Sequence, residues 1–133
     1  MRFLASEWIR AAGDDLLAVK KMMEDDDLTH LAAFHAQQCV EKSFKAVLEE
    51  NLADTPKIHG LLRLYELVSG FVDVDFDKDT MKTLDGLYVD ARYPGMMGLL
   101  PDGKPDKDEA RAFHVFAEMV YETIKHILDP NES

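Results

Sequence analysis

The chain has 133 residues, 47% of them hydrophobic, and a formal net charge of −11. That length bounds it to one domain, residues 1–133, with enough apolar material for a core that needs no staples. The acidic excess excludes sequence-independent binding to a phosphate backbone, and a single cysteine, Cys39, excludes an internal disulfide and a cysteine-cluster zinc site.

The opening stretch, MRFLASEWIRAAGDD, meets acids too soon for a secretory apolar core. No apolar run approaches membrane-spanning length, so a soluble cytoplasmic protein is expected. Apolar residues then recur at helical spacing along the chain. The first helix is predicted from about Ser6, its candidate N-cap, to Met23, with the stripe Trp8, Ala12, Leu16, Val19 and Met23. The acidic run Glu24–Asp27 breaks that pattern and reads as a solvated turn. A second helix follows from about Thr29 to Glu50, a third from about Gly60 to Phe71, and a fourth from about Asp79 to Tyr93. The alternating FVDVDFD at Phe71–Asp77 is short and reads as a helix end plus loop. After a Pro- and Gly-punctuated loop, the last helix is predicted from Lys107 to Leu128, striped by Phe113, Ala117, Val120, Ile124 and Ile127. The fold class expected is all-α, an up-and-down helical bundle of four to five helices.

The second helix carries two arcs. Ala32, Ala33, Ala36, Cys39, Val40, Phe44 and Val47 form an apolar one, small enough in places for a neighbouring helix to approach closely. Opposite, steps of three and four link His35, Gln38, Lys42 and Lys45, with Gln37 and Glu41 at the border. Glu41 and Lys45 stand at i,i+4 with the acid first, the favourable order for a helical ion pair. Two readings follow: a solvated face laced with such pairs, or a polar seam that faces a partner or a nucleotide.

The segment AFHAQQCVEKSFKAVL, then KIHGLLRL with His59, then YVDARYPG resembles the HEPN superfamily of small helical domains. The pattern is carried by Gln37, Gln38, Glu41, Lys42 and Lys45, by His59 opening the next helix, and by Ala91, Arg92, Tyr93 and Pro94. It extends from roughly Ser6 to Ile127. The resemblance implies an up-and-down bundle, often a homodimer, and a minimal nucleotidyltransferase as partner in a two-component, toxin–antitoxin-like module. It also implies a second possibility, a metal-independent ribonuclease. That activity uses an arginine followed after about four to six residues by a histidine, the histidine moving a proton and the arginine steadying phosphate charge.

This chain departs from that catalytic pattern. Counting on from Arg92, the positions in the window are Met97, Gly98 and Leu99, and no histidine occurs between His59 and His114. Arg2, Arg10 and Arg63 also lack a histidine at that distance, and the Arg111–His114 pair is too tightly spaced. The reading is therefore a non-catalytic nucleotide-binding and protein-interaction module; the alternative is a divergent ribonuclease that pairs Arg92 with an unrecognised base.

The remaining constellations are bland. His114 reads as a satisfied core or seam histidine, Glu122 with His126 as a surface pair, and the methionines as core fillers, apart from Met96 and Met97 in the Gly-Pro loop. No glycine-rich phosphate loop or nucleophile–base motif is present, so no cofactor or metal is expected. Helix punctuation explains Pro94 and Gly95, with Arg92 meeting last-turn carbonyls. It does not require both Arg92 and Tyr93. A guanidinium forks onto phosphate or carboxylate, and a tyrosine adds a flat face with a polar tip. The expected ligand- or partner-binding set is therefore Arg92, Tyr93, Gln38, Glu41, Lys42, Lys45 and His59. A homodimer is expected from the semi-apolar stretch AFHAQQCVEKSF and from Met96–Leu100.

Overall fold

The computed structural model describes residues 1–91 and 104–130, with side chains described as far as residue 88 of the fourth helix. Five helices make up the order: α1 Phe3–Met22, α2 Thr29–Asn51, α3 Leu61–Val68, α4 Lys78–Ala91 and α5 Lys107–Leu128. Among the described residues there is no strand; Phe71–Asp77 is a turn and loop, so the loop part of its reading holds while the helix end does not, α3 having stopped at Val68. No helix is long and apolar enough to cross a membrane.

The helix at the centre is α2, which packs against each of the other four. Its neighbours' directions follow from named contacts. Trp8 of α1 meets Lys45 while Asp15 meets His35, so α1 runs antiparallel to α2. Tyr88 of α4 stacks on Phe34, with ring centroids 5.5 Å apart. On the remaining side Cys39 faces the Ala117 carbonyl of α5. The α1–α5 crossing is close: a Cβ at Gly13 would stand 2.9 Å from the Tyr121 hydroxyl, so glycine there lets α5 approach.

The caps show why the helices start where they do. Asp106 Oδ1 accepts from the Glu109 amide at 2.7 Å and Glu109 Oε1 accepts from the Asp106 amide at 3.1 Å, a capping box that fixes the α5 start at Lys107. Ser6 is not the cap of α1. The helix begins three residues earlier behind Arg2, and the Ser6 hydroxyl donates back to the Phe3 carbonyl at 2.8 Å. The third helix is shorter than its apolar residues suggested, ending at Val68 before a turn through Ser69 and Gly70.

Small residues on α2 do what their size implies. Ala32, Ala36 and Cys39 are fully buried, and Phe44, Val47 and Leu48 fill the centre with Leu61, Leu64, Met81, Leu84 and Ile124. Cys39 belongs to this core: burial pushes its thiol up to about 12, far from the thiolate needed for reactivity. Its modification by a water-soluble thiol reagent is expected to follow global unfolding, which a labelling time course in native buffer and in denaturant checks. Rapid native labelling would contradict this packing.

Candidate functional site

The polar residues of α2 form two networks. In the first, Glu41 is buried and both its oxygens are engaged. Oε1 accepts from Gln37 Nε2 at 3.2 Å. Oε2 accepts from Lys45 Nζ at 3.1 Å and lies 3.2 Å from His59 Nδ1. Gln37, with no exposed surface, also donates to the His59 carbonyl at 3.1 Å and receives Gln38 Nε2 at 2.7 Å on its own oxygen. Lys45 is buried too, and its ammonium lies 5.4 Å from the Trp8 ring centroid, a favourable cation–π placement. The network thus begins in the core and ends on the His59 ring, which is 55% exposed. Since a carboxylate accepts, Nδ1–H is the donor to Glu41, which leaves Nε2 as the ring's uncommitted nitrogen among the described residues.

The second network joins α2 to α1. Buried Asp15 holds His35 Nδ1 at 2.8 Å on one oxygen and accepts from Lys42 Nζ at 2.7 Å on the other. His35 and Lys42 are each about a quarter exposed. This aspartate stands inside the stripe of α1 and escaped the sequence reading, because a lone acid among apolar residues shows its partners only when a second helix is laid against it.

Asp85 of α4 supplies what α3 lacks. The α3 N-cap is Gly60, which has no side chain, and both carboxylate oxygens of Asp85 lie 2.9 Å from the Leu61 amide. This carboxylate caps from another helix, where a negative charge also meets the positive helix end. Burial nevertheless raises its pKa above the ordinary value, outweighing the Leu61 and Leu62 amides and Gln37, with Glu41 adding repulsion. The sign follows from linkage. A carboxyl whose folded pKa is raised stabilises most below its unfolded value, near 3.8, and that contribution is lost as pH rises through the folded value. Stability curves of the native chain and Asp85→Asn should therefore shift in the variant's favour as pH climbs from 3.8 towards neutrality. A pH-independent difference would contradict the burial assigned to this group.

The structure brings Gln38, Glu41, Lys45 and His59 of the expected set together, through Gln37. Lys42 belongs instead to the Asp15 network. Lys45 corrects the solvated-face reading: its position on the polar arc suggested water, and it is buried because Trp8 of α1 and Glu41 enclose it. The stretch AFHAQQCVEKSF likewise offers little outward surface, since Ala33, Ala36, Gln37, Cys39, Val40, Glu41, Ser43 and Phe44 are buried within the chain. Arg92, Tyr93, Met96 and Met97 lie outside the described residues. His114 is mostly buried, but its Nε2 has no hydrogen-bond partner and stands 3.8 Å from Glu118, so the satisfied-histidine expectation fails at that atom. The described residues hold no cluster able to bind a metal ion.

Comparison with known proteins agrees with this architecture. The crystal structure of TT1696 from Thermus thermophilus is similar to this chain with a TM-score of 0.72 at 25% sequence identity, covering 92% of this chain and 96% of that one. No curated protein matches significantly. The family model for the HEPN domain matches residues 5–127, a span that takes in all five helices but for the first residues of α1 and the last of α5, and on that match the chain belongs to the HEPN domain family.

Proposed function

We propose that this HEPN-domain protein is a non-catalytic module that binds a nucleotide and a protein partner. It acts as a homodimer in a two-component, toxin–antitoxin-like pair with a minimal nucleotidyltransferase. The observation that supports this reading best is the commitment of the seam's cations: Lys42 is held by Asp15 and Lys45 by Glu41. Phosphoryl transfer needs positive charge aimed at the oxygens that gain negative charge in the transition state. Ammonium groups already neutralised by buried carboxylates supply little of it. Glu41, with both oxygens engaged, positions its neighbours rather than accepting a substrate proton. What the seam offers outward, among the described residues, is recognition chemistry: the uncommitted nitrogen of His59 and the carboxamide of Gln38. Arg92 and Tyr93, which lie outside the described residues, are proposed from the sequence to bind the same ligand.

One observation favours the divergent ribonuclease as a second reading. A histidine oriented by a buried glutamate is also how a general base is prepared, and His59 has that orientation. An affinity pull-down from the native host, with bound protein and nucleotide identified by mass spectrometry, tests the first reading. It should return a nucleotidyltransferase and an intact nucleotide. Cleavage of single-stranded RNA by the purified chain, abolished by His59→Ala or Arg92→Ala, would hand the case to the second.

A further inference from the structure

Gln37 and Gln38 fix each other's orientation, and that decides what the seam can read. Gln37 Nε2 faces the Glu41 carboxylate at 3.2 Å and the His59 carbonyl at 3.1 Å. A backbone carbonyl has no hydrogen to give and an ionised carboxylate only accepts, so the amide nitrogen of Gln37 points at them and its Oε1 points away. That oxygen in turn can only accept, which makes the Gln38 atom 2.7 Å from it the Nε2 donor. Gln38 is therefore held with Oε1 free of a partner among the described residues, and with one Nε2 hydrogen still available. Gln37 has no exposed surface, whereas Gln38 is half-buried. The pair thus carries a fixed amide orientation from the core to the edge of the seam.

Phe34 lies one turn before Gln38 on α2, at the i,i+4 spacing that puts two side chains on one face. Its half-buried ring stacks on Tyr88, with centroids 5.5 Å apart and 17° between the planes, and meets His35 edge-on at 5.2 Å. An aromatic wall beside an oriented carboxamide is a combination that recognises a nucleobase, the ring supplying stacking area and the amide reading an edge. From this we infer that Gln38 is the specificity-determining residue of the seam and that it selects adenine, with the base seated beside Phe34. Adenine presents the N6 amine donor next to the N7 acceptor, which matches a carboxamide whose oxygen accepts and whose nitrogen still donates. Guanine presents two acceptors, N7 and O6, on the same edge and sets one of them against Gln38 Oε1. The inference rests on the nucleotide-binding reading and adds to it the base and the residue that reads it.

The test is isothermal titration with ATP and with purine riboside triphosphate, which keeps the sugar, the phosphates and the ring but carries hydrogen in place of the N6 amine. The native chain should bind ATP more tightly by about five-fold or more, the scale of one hydrogen bond lost with its acceptor left unpaired. Gln38→Met keeps the length of the side chain and removes both polar atoms. It should weaken ATP and bind the two triphosphates alike. Phe34→Leu should weaken both by a similar factor and keep the preference, because stacking does not depend on the amine. Each variant is first shown by circular dichroism to be folded. Equal native affinity for the two triphosphates would overturn the inference and leave nucleotide binding standing. A preference that survives in Gln38→Met would overturn the role given to Gln38. Binding of neither compound would sink the nucleotide reading itself, and this inference with it.

Discussion

Glu41→Ala is expected to lower folding free energy by about 3–5 kcal/mol, the loss that follows when one member of a buried ion pair is removed. The magnitude follows from what remains. Lys45 keeps its buried position beneath Trp8 and loses its one carboxylate, while Gln37 and His59 each lose an acceptor. Lys45→Met should cost less, because Gln37 and His59 still satisfy Glu41. Replacing both members, Glu41→Leu with Lys45→Met, should recover most of the stability, since no uncompensated charge is left inside. Denaturant unfolding of the four proteins ranks these costs. A single-variant loss below about 1 kcal/mol would mean that the pair behaves as a solvated surface pair.

Phe44→Ala should cost about 4 kcal/mol, in the range for removing a buried phenylalanine. The ring is fully buried, with centroids 5.9 Å from Tyr65 and 6.1 Å from Phe76. It therefore joins α2 to α3 and to the loop before α4. Tyr65 also ties that loop by polar bonds, its hydroxyl donating to the Val74 carbonyl at 3.1 Å and accepting from the Phe76 amide at 3.0 Å. Loss of the Phe44 ring should loosen this cluster locally as well as destabilise the whole. Hydrogen exchange at the Phe76 amide should accelerate beyond the global effect. Phe44→Leu, which keeps most of the volume, should cost about 1.5 kcal/mol or less. Equal costs for the two substitutions would argue against ring packing as the source.

How far the sequence carried depends on the range over which each feature is decided. The bounds of α5 were legible because the capping box and the stripe are both local. Those of α2 came within one residue on the helical period alone, since its N-cap Leu28 makes no side-chain cap. The end of α3 was overrun because Phe71 and Val72 continue an apolar pattern past a turn that only Ser69 and Gly70 betray. At the site, Glu41 with Lys45 could be read from spacing, but spacing is the same for a solvated pair and a buried one. Trp8 and His59 decide between them, and they come from elsewhere in the chain. Asp85 is the extreme case. Its partner amide is 24 residues away, and nothing near it in sequence marks it as the cap of another helix.

The central claim, that the seam recognises a nucleotide without transforming it, is tested most directly by isothermal titration with ATP, the mixture then analysed chromatographically. The native chain, His59→Ala and Arg92→Ala are compared, each shown by circular dichroism to be folded. The account predicts that the native chain binds, that both variants bind more weakly, and that ATP is recovered unchanged. ATP converted by the native chain, or binding that neither substitution weakens, would contradict it.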